Sequence, residues 1–251
     1  MKKPTLNRLI KKKQCLFLAY DQGLEHGPSD FNDTNVDPAY IIELAQKGKF
    51  NALIVQKGIA EQYRKEIRKS KVPLILKLNG KTNLVQGEPL STQLCTVKEA
   101  HALGAQAVGY TIYIGSIHEN VMFAQFEQIE REAHAKGMPV IAWIYPRGKA
   151  LKGKSEHELL AYATRTGLEL GADIIKIHWS GNASDLKWAV KAAGKAKVVV
   201  AGGLKTGDKQ LLTQVKTAMK AGAIGCAIGR NIWQHKRPLE ITKKIREVIW
   251  K

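Results

Sequence analysis

The sequence predicts an α/β protein, a single-domain (β/α)8 TIM barrel over residues 1–251, on three observations. Eight short apolar or β-branched runs recur along the chain, helix-patterned stretches lie between them, and a glycine stands just before several of the runs. Strand alternating with helix builds right-handed βαβ units and a parallel sheet. Eight such units in 251 residues match a closed barrel, whose usual size is about 250 residues. The alternative, an open doubly wound sheet, would need fewer strands or an inserted domain.

The first run, Cys15–Tyr20, is apolar throughout, as a strand covered on both faces should be. Ala52–Gln56, Pro73–Leu78 and Ala107–Tyr113 follow, then Pro139–Tyr145, Asp173–Ile177, Lys197–Ala201 and Ile224–Ile228. Between them, Val121–Ala135, Glu156–Leu170 and Lys209–Ala221 carry apolar residues at helical spacing. Gly104, Gly137, Gly171 and Gly222 precede strands four, five, six and eight, where a left-handed cap would end a helix and turn the chain into the barrel. No Pro/Ser-rich linker or low-complexity segment divides the chain, so one domain is expected.

Hydrophobic content of 44% and charged content of 25% are those of a globular protein with a large core. Cys15, Cys95 and Cys226 form no Cys-x-x-Cys pair; two of them lie in apolar strand-like segments and read as small core residues, and the usage suits a reducing compartment. The lysine-rich start is followed by too short an apolar run for a signal peptide, and no run is long enough to span a membrane. A cytoplasmic location without a membrane partner is expected. The net charge of +18 invites either nucleic acid or a polyanionic small substrate. Only Lys11-Lys12-Lys13 forms a tight cluster, and no aromatic residues interleave with the basic ones. The charge therefore reads as a solvated surface, with no nucleic-acid partner.

Barrel active sites lie at the C-terminal ends of the strands. There the most informative residue is Lys176, in the apolar strand Ile174-Ile175-Lys176-Ile177. Burial disfavours an ammonium, and a neutral amine is the nucleophile that makes a Schiff base with a carbonyl. The plain alternative is a lysine that snorkels from the strand end or pairs with a carboxylate. Alternation puts Asp21 on the face of Ala19, Tyr145 on that of Trp143, and His178 on that of Lys176. A nucleophile, a phenol able to move protons and an anion able to stabilise an iminium then converge at one mouth.

Gly202-Gly203 after strand seven and Gly229-Arg230 after strand eight predict a phosphate site, since barrels build such sites from those two loops. Lys77, on an equally apolar strand, is a rival nucleophile or a lysine that binds phosphate or tunes Lys176. Asp21, His26 and His178 could in principle hold a metal, but the histidines show no ligand spacing, so no metal is expected.

These motifs, in order, carry a resemblance. Tyr20-Asp21-Gln22-Gly23-Leu24-Glu25-His26-Gly27-Pro28, Trp143-Ile144-Tyr145-Pro146-Arg147-Gly148, Ala172-Asp173-Ile174-Ile175-Lys176, Ala201-Gly202-Gly203 and Gly229-Arg230-Asn231-Ile232-Trp233-Gln234 together resemble the archaeal-type class I fructose-bisphosphate aldolases of the DhnA/DeoC-like family. The resemblance covers Cys15 to Pro238. It implies a metal-independent, cofactor-free lyase of glycolysis and gluconeogenesis that acts on sugar phosphates, often as a homo-oligomeric decamer. Lys176 would be the Schiff-base lysine, Tyr145 the general acid/base and Asp21 an aid to proton transfer. Trp143 would pack beside the substrate. Gly202, Gly203, Gly229 and Arg230 would hold the phosphate near the carbonyl, with His26 and Arg147 toward the other phosphate.

Related Schiff-base enzymes of the family, a transaldolase-like amino-dideoxy-heptulosonate synthase and a phospho-ketone thiolase, are alternatives, as is a sugar-phosphate-binding barrel without covalent chemistry. Glu25-His26-Gly27-Pro28 resembles the aldolase branch more than either enzyme. His178-Trp179 and Leu204 depart from the family pattern; they either alter the shape offered to the substrate or simply pack, and packing is the expected role of these aromatic and apolar side chains.

Overall fold

The computed structural model describes residues 4–251. Eight parallel strands close into a barrel in sequence order: β1 (Cys15–Ala19), β2 (Ala52–Gln56), β3 (Leu74–Lys77), β4 (Ala107–Ile114), β5 (Val140–Pro146), β6 (Ile174–Ile177), β7 (Lys197–Ala201) and β8 (Gly225–Ile228). Closure comes from β1 pairing with β8, Cys15 opposite Gly225 and Leu18 opposite Ile228. Each strand follows its predicted run to within one residue at either end. The helices also follow prediction: Glu119–Ala135, Glu156–Glu169 and Asp208–Lys220. Gly104, Gly137, Gly171 and Gly222 all adopt positive φ after their helices, as the left-handed caps require.

Alternation along the strands sorts the core into two layers. Cys15, Phe17 and Ala19 of β1 point inward with Ile54, Ile75, Ile141, Ile174 and Val199, while Leu16 and Leu18 point out toward the helices. Leu6, Leu9 and Ile10 pack against the inner layer. They precede β1 and so cover the end of the barrel away from the active-site mouth. All three cysteines are free and buried, one more than the two read as core residues from the sequence.

One feature lacked a sequence signal. After β3 the chain makes a short antiparallel pair, Asn79–Gly80 with Thr92–Gln93, that projects a loop beside the mouth. Fully buried Asn79 holds it in place. Its side chain donates to the carbonyls of Ser91 (2.9 Å) and Thr111 (2.8 Å) and accepts from the Thr111 N–H (2.7 Å).

Candidate active site

A cavity of about 370 Å³ opens at the C-terminal ends of the strands, and every residue singled out above as a catalytic or binding candidate lines it. Lys176 sits in β6 between Trp143 of β5 and Val199 of β7, and is only 5% exposed. Its Nζ lies 5.1 Å from the centroid of the Trp143 ring. Among the described residues, it has no carboxylate oxygen within salt-bridge distance. The indole occupies space left by Gly109 on β4, where a Cβ would fall 1.5 Å from the ring. The lysine and its aromatic wall therefore depend on a residue with no side chain.

The two lysines of the site are in different electrostatic states. Lys77 Nζ lies 3.2 Å from Asp21 Oδ2, both nearly fully buried. Burial by itself would raise the Asp21 pKa, but the ammonium of Lys77, and secondarily that of Lys176, holds it below its ordinary value. Lys176 lacks such a contact. Burial lowers its pKa to about 8; the more distant charge of Asp21 works against this, and that of Lys77 reinforces it.

Tyr145, at the end of β5, is partly buried, and desolvation together with the charges of Asp21 and Glu25 pushes its phenol well above its ordinary pKa. It is thus a proton donor that stays protonated. Arg147 lies over the rings of Tyr113 (5.3 Å) and Tyr145 (5.6 Å) and pairs with Glu25 at 3.0 Å. The Tyr113 hydroxyl is 3.4 Å from the same Glu25 oxygen.

On the other side, His26 Nδ1 and Arg230 Nη1 share Asp30 Oδ2, at 2.7 and 3.6 Å. His26 thus stands with Arg230 and the glycine loops. Gly203 has φ +65°, which favours glycine, and a Cβ on Gly229 would fall 2.6 Å from the Ala19 carbonyl oxygen. Buried Asn231 fixes the loop after β7. Its amide donates to the carbonyls of Gly202 (2.7 Å) and Leu204 (2.8 Å), and its oxygen accepts from the Thr206 N–H (2.8 Å).

The departures from the family pattern do not share one role. Trp179 packs against the core as expected. Leu204 does not, being 75% exposed, because only its backbone is held, by Asn231. Nor is His178 a packing residue: it lines the cavity with its Nε2 2.9 Å from Glu156 Oε2. Asp21, His26 and His178, weighed above as metal ligands, each engage a separate partner, Lys77, Asp30 and Glu156. Among the described residues no three His, Cys, Asp or Glu side chains gather closely enough to hold an ion.

Glu25 and Glu156 line the cavity, and Tyr113 and Asn231 contact residues that line it, yet sequence reasoning gave these four no role there. Glu25 and Asn231 stood inside quoted motifs, so adjacency was an available signal. Glu156 carried none, since a glutamate in the first turn of a helix is ordinary.

Comparison with known proteins gives concordant findings. The family model for DeoC/LacD family aldolases matches residues 15–235. The chain is 45% identical to the class 1 fructose-bisphosphate aldolase of Thermoproteus tenax, over 98% of this chain and 93% of that protein. It is 42% identical to the class 1 enzyme of Halobacterium salinarum, over 94% and 90% of the two chains. Among solved structures, an archaeal fructose-1,6-bisphosphate aldolase with its catalytic lysine bound to the carbinolamine intermediate superposes with a TM-score of 0.92. Sequence identity there is 44%, with 98% of each chain covered.

Proposed function

The chain belongs to the DeoC/LacD family of aldolases, and from that premise we propose that it is a class I fructose-bisphosphate aldolase whose Schiff base forms on Lys176. The observation that carries the assignment of the lysine is the division of charge in the cavity. Asp21 is paired with Lys77, which leaves Lys176 buried without a close carboxylate and with a pKa of about 8. At pH 7 about one Lys176 in ten is then neutral, against about one in three thousand for a free lysine.

The neutral amine adds to C2 of fructose 1,6-bisphosphate, and loss of water from the carbinolamine gives an iminium. Deprotonation of the C4 hydroxyl breaks the C3–C4 bond and releases glyceraldehyde 3-phosphate, with the iminium as electron sink. Tyr145 protonates the resulting enamine at C3, and hydrolysis frees dihydroxyacetone phosphate. Asp21 stabilises the cationic imine and assists proton transfer, and Trp143 walls the reacting carbon. The phosphate next to the carbonyl binds between Gly202, Gly203, Gly229 and Arg230, with His26 on the same side. Arg147 faces the second phosphate.

The same reading includes one catalytic domain over residues 1–251, a cytoplasmic location and assembly as a homo-oligomer, up to a decamer. Its support is the family resemblance, and sedimentation velocity would measure the assembly. The decisive test of the chemistry is borohydride reduction in the presence of dihydroxyacetone phosphate, followed by peptide mapping. An adduct on Lys176 is expected. An adduct on Lys77, or none, would overturn the assignment.

A further inference from the structure

Lys176, the glycine loops and Arg230 account for the half of the substrate that stays on the enzyme as an imine. The aldehyde half must enter and leave on the remaining side of the cavity. His178 and Glu156 also line this cavity, and the mechanism uses neither. His178 follows Lys176 by two residues, one residue past the C-terminal end of β6, the end at which the mouth lies. Its side chain is 31% exposed, which leaves it accessible to an entering molecule.

Glu156 opens the helix Glu156–Glu169, whose N-cap Ser155 forms a reciprocal capping box with Glu158. Glu158 thus satisfies the helix end and leaves the Glu156 carboxylate for the imidazole. A carboxylate that accepts from Nε2–H fixes the ring and its tautomer and makes Nδ1 the remaining hydrogen-bonding atom. Among the described residues, Nδ1 of His178 has no hydrogen-bond partner.

We propose that His178, oriented by Glu156, selects the acceptor aldehyde by accepting a hydrogen bond at Nδ1 from the hydroxyl adjacent to the aldehyde carbon. The inference rests on the aldolase reading above. It adds the residue that distinguishes 2-hydroxyaldehydes such as glyceraldehyde 3-phosphate from aldehydes without that hydroxyl. Arg147 addresses the phosphate of the same molecule and reads charge, whereas His178 reads the hydroxyl.

The test is aldol condensation of dihydroxyacetone phosphate with two acceptors, glyceraldehyde 3-phosphate and 3-phosphooxypropanal, which lacks only the 2-hydroxyl. Wild type should favour the hydroxylated acceptor in kcat/KM by about tenfold, the scale of one neutral hydrogen bond in a half-open site. His178→Phe should bring the ratio close to one, mainly by loss on the hydroxylated acceptor, and His178→Gln, which keeps an acceptor atom, should restore part of it. Glu156→Gln, at an exposed position that should not disturb folding, should lower the ratio in the same direction by about threefold.

Borohydride trapping of dihydroxyacetone phosphate on Lys176 in the same variants separates the two readings. Trapping with an unchanged acceptor ratio in His178→Phe overturns the role of His178 and leaves the aldolase assignment standing. Equal loss on both acceptors, with trapping intact, also overturns it. Absence of trapping in the wild type overturns both.

Discussion

At the scale of single residues, the chemistry turns on the proton of buried Lys176. Because Lys176 titrates at about 8, the rate of imine formation should rise with pH up to about 8 and then level off, as measured by borohydride inactivation across a pH series. Lys77 contributes to that depression and also holds Asp21. In Lys77→Met, Asp21 is left to Lys176, so the inflection should move to higher pH and the rate at pH 7 should fall; an unmoved inflection would contradict the coupling.

Burial of Lys176 also bears on stability. Its folded pKa lies below that of the unfolded chain, so the unfolded state binds more protons between about 8 and 10.5, and stability from this group increases with pH across that window. Below about 8 the buried ammonium is a net cost. Lys176→Met should therefore be inactive yet more stable at pH 7, by about 1–3 kcal/mol in urea titration. That gain should shrink as the pH is raised toward 10.5.

Elements position these residues through contacts that sequence patterns do not express. β4 gives up a side chain at Gly109 so that Trp143 of β5 can lie across the barrel beneath Lys176. Gly109→Ala places a methyl group inside the indole ring and should destabilise the protein by about 2–4 kcal/mol, with a shifted tryptophan emission. The loop after β7 is held by three hydrogen bonds to Asn231. Asn231→Ala should loosen that loop and raise KM for phosphorylated substrates about tenfold. The Lys176 inflection should stay in place, since Asn231 is not among the groups that shift it. Titration of dihydroxyacetone phosphate binding against the pH–rate profile would separate the two effects.

For the whole molecule, a net charge of +18 meets a substrate with two phosphates. The field should accelerate encounter and be screened by salt. kcat/KM for fructose 1,6-bisphosphate should fall by about threefold to tenfold between roughly 20 and 200 mM salt, while kcat/KM for an unphosphorylated ketose stays flat. Equal salt dependence for both would point to a conformational effect of salt.

By itself the sequence determined the barrel, because apolar runs and helical periodicity are local properties and eight of them in order permit little else. It also determined the candidate nucleophile and the glycine loops, since a lysine in an apolar strand and glycines after strands seven and eight are conspicuous against their neighbours. Only the tertiary structure decided the pairings. Asp21 reaches Lys77 and not Lys176, His26 meets Arg230 through Asp30, and His178 finds Glu156. Each joins groups set on different elements around the mouth, so ångström-scale placement of strand and helix ends fixes the partner. Electrostatic coupling falls steeply over those few ångströms, and periodicity along one chain segment contains no information about it.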